Sequence, residues 1–342
     1  MISEMRVSLQ PRPIAGSVDE LLAGAERREP FVPTDSRSGS HFERVRIGGE
    51  PFVVKYLHRD DDFAMRAMQD TDCRPLRAFA AGLYDVAPDL IDHGIVAMAG
   101  GVGRGGLGAA ILMRDLTEEL ATQGDAPFDH DEHDRYLDHM AGLCAATWGW
   151  RDDLGLTPYA ARWEFFGHAA IDGDRALGWP ERVPRIADEG WGLFAGRAPA
   201  RVVEAIDELR RDVSPLADAL ATTPSCFLHG DWKAGNLGNG RDRRTVLIDW
   251  VYVGEGPACH ELGWYLALNR AKVPADRSKE DVIDGFRSAL GARGVSTDGW
   301  WDRQLDLGLL GTLVQFGWEK AFGEEDELGW WCERAAAGLA RL

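Results

Sequence analysis

The 342-residue sequence has no apolar run near the roughly 18 residues a membrane-spanning helix needs. No span is expected. The amino-terminal stretch MISEMRVSLQPRP also lacks the apolar core of a secretory signal. Cysteines are few (Cys73, Cys144, Cys226, Cys259 and Cys332), far apart, and without a C-x-x-C pair. That spacing argues against a disulfide framework or a thiolate zinc site and fits a reducing, cytoplasmic setting. Positive charge is short as well: 38 Lys and Arg stand against 56 Asp and Glu, for a net charge of −18. A field of that sign repels nucleic acid and anionic membranes, so a general role binding either is disfavoured. Only five of the basic residues are lysines (Lys55, Lys233, Lys272, Lys279 and Lys320), which makes the place of each informative. Fixed-period repeats and long low-complexity segments are absent.

What is present reads as two regions. Ser17 to Glu20 ahead of LLAGA forms a capping-box pattern opening a short helix. From Phe31 to Asp60, β-favouring stretches are punctuated by small residues at Ser36–Ser40 and by Gly48-Gly49, which predicts a hairpin or three-stranded meander. Helical periodicity runs from Phe63 to Leu83, with Pro75 a candidate break. APDLIDHGIVAMAG and GAAILMRDL read as further strands. Beyond Leu116 the pattern turns helical: a long helix from about His130, an irregular tryptophan-containing stretch to Gly190, then a helix from Pro199 to Leu209. Two short apolar runs, CFLHGDW and TVLIDWV, form a small embedded hairpin, and helices follow near 258–270, 279–291, 300–317 and 328–341. The expected class is α+β. A sheet region of residues 1–116 precedes a helical region of 117–342 that carries the hairpin 226–251.

Chemistry concentrates in that hairpin. Asp231 and Asn236 stand five apart in HGDWKAGN, and Asp249 closes the next strand in Ile248-Asp249. Phosphoryl transfer from a nucleotide needs a carboxylate to take the attacking hydroxyl's proton and hard oxygen ligands to hold Mg²⁺. It also needs a cation on the phosphates, and Lys55 in Val53-Val-Lys-Tyr56 stands on a strand of the other region.

His-Gly-Asp-x-x-x-x-Asn, the following Ile-Asp and the later Pro257-Ala-Cys-His-Glu-Leu262 resemble the protein-kinase-like superfamily, and more closely its aminoglycoside phosphotransferase and choline kinase branch. The resemblance runs from about residue 30 to near the end. It implies a bilobal fold with a small antiparallel sheet lobe, and an ATP- and Mg²⁺-dependent transfer to a hydroxyl. By that resemblance Asp231 is the base and Lys233 helps neutralise the transferred group. Asn236 and Asp249 hold the metal, Lys55 meets the phosphates, and His229 braces the loop. Ser38, Gly39 and Ser40 cover the phosphates. Met113, Arg114 and Asp115 form the hinge that binds adenine. Asp72, ahead of Asp70, is the expected carboxylate partner of Lys55. Glu261 stands where the branch usually has Asp.

Asp249 and Glu261 are only twelve apart, leaving no room for a segment that docks a polypeptide, so a small polar metabolite or antibiotic is the expected acceptor. A catalytically silent nucleotide- or partner-binding module is the alternative. Other clusters receive plain readings. His130 and His133 mark a solvated helix start, the tryptophans pack in the core, and Glu319 with Glu324–Glu327 forms a solvated acidic face.

Overall fold

The paired glycines Gly48 and Gly49 adopt left-handed backbone at φ +59° and +82°, a turn that L side chains resist. They fold strand β2 (His41–Ile47) onto β3 (Glu50–Leu57). The computed structural model describes residues 9–33, 39–121 and 124–342. Helix α1 (Val18–Leu21) and β1 (Ala25–Phe31) come first, so the first strand starts earlier than Phe31. At α1, Ser17 Oγ accepts from Glu20 N–H, but Glu20 reaches the Gly16 amide instead of Ser17's, which leaves the capping box half made. After β3 come α2 (Phe63–Ala67), α3 (Arg74–Ala81), β4 (Ile91–Asp92), β5 (Ile95–Val102) and β6 (Gly108–Arg114). The five-stranded sheet has the order β1-β2-β3-β6-β5, antiparallel throughout.

The predicted helix over 63–83 is broken, though ahead of Pro75. Gln69 and Cys73 take φ of +53° and +59°, which halts α2. Pro75 then sits in the first turn of α3, where its missing N–H costs nothing. Strand β4 leaves the first sheet altogether: Ile91 and Asp92 pair in parallel with Thr245 and Val246.

The helical region holds α4 (His130–Ala146), α5 (Ala161–Glu164), α6 (His168–Ala176), α7 (Arg182–Arg197), α8 (Ala200–Arg211) and α9 (Ser214–Ala221). Residues 161–197, read from sequence as irregular up to Gly190, are thus largely helical. Helices α5 and α6 are too short to show a period, whereas α7 carries one, with Pro184, Ala187, Trp191 and Phe194 buried at helical spacing. Strands β7 (Cys226–Leu228), β8 (Leu237–Asn239), β9 (Thr245–Leu247) and β10 (Gly254–Gly256) follow, then α10 (Ala258–Leu268), α11 (Lys279–Ala292), α12 (Trp301–Lys320) and α13 (Glu325–Leu339). The two apolar runs do not pair with each other. β8 pairs with β9, whereas β7 pairs with β10. Among the described residues no helix is long and apolar enough to cross a membrane.

Two apolar clusters result. Val45, Val54, Ala110 and Leu112 on the outer sheet face pack under Leu21 and Leu22 of the α1 segment. The larger cluster joins α2 and α3 to the helical lobe. Phe63 meets Phe165 and Phe166 at 5.4 and 5.6 Å between ring centroids, and Tyr84 Oη donates to the Trp250 carbonyl. Arg66 of α2 reaches Asp174 and Glu181 at 2.7 and 2.8 Å. The helices following β3 are therefore bolted to the larger lobe, and Trp163, Trp232 and Trp331 are buried within it.

Candidate active site

The loop after β7 is built around a buried histidine. His229 Nε2 bonds the Ile248 carbonyl at 2.9 Å, and its Nδ1 takes the Asp231 N–H at 3.1 Å. A ring that donates at one nitrogen and accepts at the other is neutral. Burial accordingly pushes its pKa down to about 4. Gly230 has φ +85°, and a Cβ there would stand 2.9 Å from Tyr252 Cβ and 3.0 Å from its carbonyl oxygen. Only glycine fits. Its N–H donates to the buried Glu261 carboxyl at 2.9 Å, whose pKa burial pushes up to about 7.

Asp231, 1% exposed, emerges from this turn surrounded by donors. Oδ2 accepts from Asn236 Nδ2 at 2.7 Å and from Lys233 Nζ at 2.8 Å, while Oδ1 accepts from Trp264 Nε1 at 2.7 Å. Asn236 spends its amide nitrogen on Asp231, leaving its Oδ1 without a partner among the described residues.

Lys55 arrives from β3, held in register between Phe42 and Ile111. It is 4% exposed, and its Nζ lies 2.6 Å from Asp249 Oδ1. Asp249 itself adopts φ +66°, a strained conformation for a residue with a side chain, which concentrates at functional sites. Burial alone would raise its pKa, but Lys55 and Lys233 together hold it below the usual carboxylate range. The free amide oxygen of Asn236 and the Asp249 carboxylate are hard oxygen donors, the set that suits Mg²⁺ when phosphates supply the remaining ligands. No trio of His, Cys, Asp or Glu gathers for a metal among the described residues.

Several expected residues stand elsewhere. Asp72 does not approach Lys55; it is half exposed and paired with Arg77. Asp70 is buried but caps α3 through the Arg74 N–H at 3.0 Å. The α2–α3 break turns both carboxylates away from the sheet, and Asp249 takes the lysine instead. At the hinge, the Arg114 N–H donates to Gly94 and the Asp115 N–H to Pro51. Their side chains pair with Asp92 and Arg44, and Met113 is a half-buried sheet residue. The first amide beyond β6 with no acceptor among the described residues is that of Leu116. Ser38 lies outside the described residues. Gly39 packs so closely on Asp61 that a Cβ would fall 2.0 Å from its carbonyl oxygen. Ser40 Oγ donates to Asp62 Oδ2, the carboxylate that caps α2.

Three residues that sequence reasoning missed hold the loop in place. Trp264 donates to the Asp231 carboxylate. Asn269 Oδ1 accepts from Ala234 N–H at 2.6 Å, and its Nδ2 donates to the Trp232 carbonyl at 2.8 Å. Arg162, 2% exposed, donates to the Tyr252 and Glu255 carbonyls and fills the space against Gly230, Gly254 and Gly256. Burial pushes its pKa down to about 10. The signal for Trp264 and Asn269 was polar atoms in an otherwise apolar helix; nothing local marked Arg162.

The carboxyl-terminal acidic cluster is largely the solvated face expected, with Glu324, Glu325 and Asp326 exposed, but Glu327 is not part of it. Glu327 is 5% exposed and pairs with Lys279 at 2.6 Å and Arg270 at 3.5 Å, Glu324 with Arg270 and Glu319 with Lys320. His133 is buried too, its Nδ1 2.9 Å from Tyr265 Oη, rather than part of a solvated helix start.

A solved structure with a TM-score above 0.5 shares this fold. The choline kinase LicA from Streptococcus pneumoniae is similar over 95% of this chain and 96% of its own, at 12% identity and a TM-score of 0.51. The aminoglycoside phosphotransferase APH(4)-Ia covers 95% and 97% at 13% identity, with a TM-score of 0.46. A microcompartment-associated aminopropanol kinase covers 94% of each chain at 12% identity and 0.48. The comparison with curated proteins finds no match. Residues 35–295 match the model of the phosphotransferase enzyme family, and the chain, with its antiparallel sheet lobe and helical lobe, belongs to that family.

Proposed function

We propose that the protein transfers the γ-phosphoryl group of ATP to a hydroxyl of a small molecule in a Mg²⁺-dependent reaction. The observation that carries this reading is the meeting of Asp231, Lys233 and Asn236 in one set of hydrogen bonds, with Lys55 on Asp249 beside them. A structural ion pair would need none of the rest. Nucleotide binding is further supported by the similar choline kinase LicA, solved in complex with AMP at a TM-score of 0.50.

In this reading the nucleotide lies between the sheet lobe, residues up to 116, and the helical lobe from 117 onward. Lys55 meets the phosphates, and the Leu116 amide takes the hinge bond to the base. Gly39 and Ser40 border the phosphates. Asn236 and Asp249 hold Mg²⁺, which neutralises phosphate charge when bound. Asp231 orients the acceptor hydroxyl and accepts its proton, while Lys233 offsets charge on the transferred group. Catalysis is mainly positioning and charge neutralisation. The acceptor is small, because β10 begins five residues after Asp249 and α10 nine after it. The reaction belongs in the cytoplasm, where ATP and reduced cysteines coexist.

The test is Asp231→Asn, with ADP release followed over a panel of hydroxylated metabolites and antibiotics. The expected result is a fall in kcat of about 10²–10⁴ with folding intact. Undiminished turnover would overturn the assignment. Slow ATP hydrolysis by the unaltered protein without any acceptor would set it apart from a silent module.

A further inference from the structure

The donors around Asp231 are distributed unequally between its two oxygens. Oδ2 receives both Asn236 Nδ2 and Lys233 Nζ, whereas Oδ1 receives Trp264 Nε1 alone. A carboxylate oxygen accepts two in-plane hydrogen bonds, so Oδ2 is filled and one position on Oδ1 remains. Trp264 is held too firmly to leave that position ambiguous. It is 5% exposed, and its ring packs on Phe316 at 4.8 Å, His260 at 5.7 Å, Tyr252 at 5.8 Å and Phe165 at 6.4 Å between centroids.

The geometry points to Trp264 as a positioning residue that fixes the rotation of the Asp231 carboxylate and makes Oδ1 the oxygen that takes the acceptor's proton. This rests on the proposed phosphotransfer. The acceptor O–H bond breaks with its electron pair kept on oxygen, and the proton passes to Oδ1. The acceptor oxygen bonds the γ-phosphorus as the bond to the β–γ bridging oxygen breaks, its pair leaving with the nucleoside diphosphate.

Two measurements decide it. In Asp231→Asn, the donors Asn236 and Lys233 require the new amide's oxygen on their side, which turns its NH₂ toward Trp264. The ¹H–¹⁵N spectrum of that variant should therefore show one indole resonance displaced upfield, the same one that is missing from Trp264→Phe. Trp264→Phe keeps the aromatic packing and deletes the donor. It should lower the kcat of ADP release, with water as the acceptor probe, by about 10- to 100-fold, the loss expected for one hydrogen bond to a charged group. The titrated affinity for Mg²⁺·ATP should stay within about twofold, a split that a merely structural residue would not give.

An unmoved indole, or a kcat within about twofold of the unaltered protein, overturns the inference. If Trp264→Phe fails to fold, the Trp264 indole is assigned by its nuclear Overhauser contacts to the rings of Phe316 and Tyr252, and its displacement in Asp231→Asn still decides it. A displaced indole with full turnover in Asp231→Asn would instead remove Asp231 as base, and the role of Oδ1 with it.

Discussion

Asn269→Ala removes two of the bonds that tie residues 231–236 to the end of α10. The side chain is 1% exposed; Oδ1 accepts from Ala234 N–H at 2.6 Å, and Nδ2 donates to the Trp232 and Tyr265 carbonyls at 2.8 and 3.0 Å. After truncation the Tyr265 carbonyl keeps the bond from Asn269's own N–H, whereas the Ala234 N–H and the Trp232 carbonyl lose their side-chain partner inside the fold. An unsatisfied buried group costs about 1–3 kcal/mol, so the pair should cost about 2–6 kcal/mol before any relaxation. Unfolding entropy near 2.1 cal/mol/K per residue gives about 0.7 kcal/mol/K for a chain of 342 residues, and hence a fall in Tm of about 3–8 °C.

The assay pairs urea unfolding with ADP release at 25 °C, well below the transition. Turnover should fall even where the protein stays folded, because the loop carries both Asp231 and Asn236. Asn269→Asp makes the control: it keeps an acceptor for Ala234 but sets an oxygen against the Trp232 carbonyl, so it should rescue little. A stability change under about 0.5 kcal/mol with unaltered kcat would refute the reasoning and show that the loop holds its shape without α10.

Other expectations follow from the same geometry. Lys55→Met strips Asp249 of its 2.6 Å partner and should lower kcat/KM for ATP by about 10²-fold, the scale of losing one preorganised charge contact; unchanged ATP saturation kinetics would count against the cleft. Gly230→Ala forces a Cβ to 2.9 Å from Tyr252 at a left-handed φ, so soluble protein should lack turnover, measured by ADP release, and an active variant would contradict the turn. His93, His139 and His229 all have pKa values lowered to about 4, in each case chiefly by burial. The unfolded chain binds their protons from about pH 6.5 downward while the fold does not, so stability should drop as pH falls from 6.5 toward 4. Thermal unfolding across that range checks the sign, and a flat Tm would refute it.

The sequence made the motif residues legible because their chemistry fixes their spacing. His229, Asp231 and Asn236 share one short loop, and Asp249 closes the next strand, so adjacency in the chain nearly ensures adjacency in space. The partner of Lys55 was not legible in the same way. Asp72 had the right residue type on the expected helix, but Gln69 and Cys73 in left-handed backbone break that helix, and no short-range pattern announces a non-glycine residue with positive φ. Strand β4 was hidden for a related reason: a two-residue pairing of Ile91 and Asp92 with Thr245 and Val246 joins segments far apart in the chain. Within the acidic cluster only the burial of Glu327 was hidden, because composition shows carboxylates but not their counter-ions. Lys279 and Arg270 come from an earlier helix and a loop to meet Glu327.

Helix α10 shows what pattern reading could still recover. Ala258 to Ala267 are buried on every side, so a polar atom there must find a partner within the protein. Glu261 meets the Gly230 amide, Trp264 the Asp231 carboxylate, and Asn269 the backbone of Trp232 and Ala234. Trp264, three residues beyond Glu261, shares its helix face, and Asn269 caps the end of the helix; the three touch the catalytic loop in the order of its own sequence. The helix therefore acts as a template laid along the loop, setting the turn, the carboxylate and the backbone beyond it in succession. Polar atoms in a fully buried helix and at its C-cap, soon after an Ile-Asp strand end, are then a readable sign, and exchanging Glu261 for Leu should loosen the Gly230 turn first, before the Asn269 contacts give way.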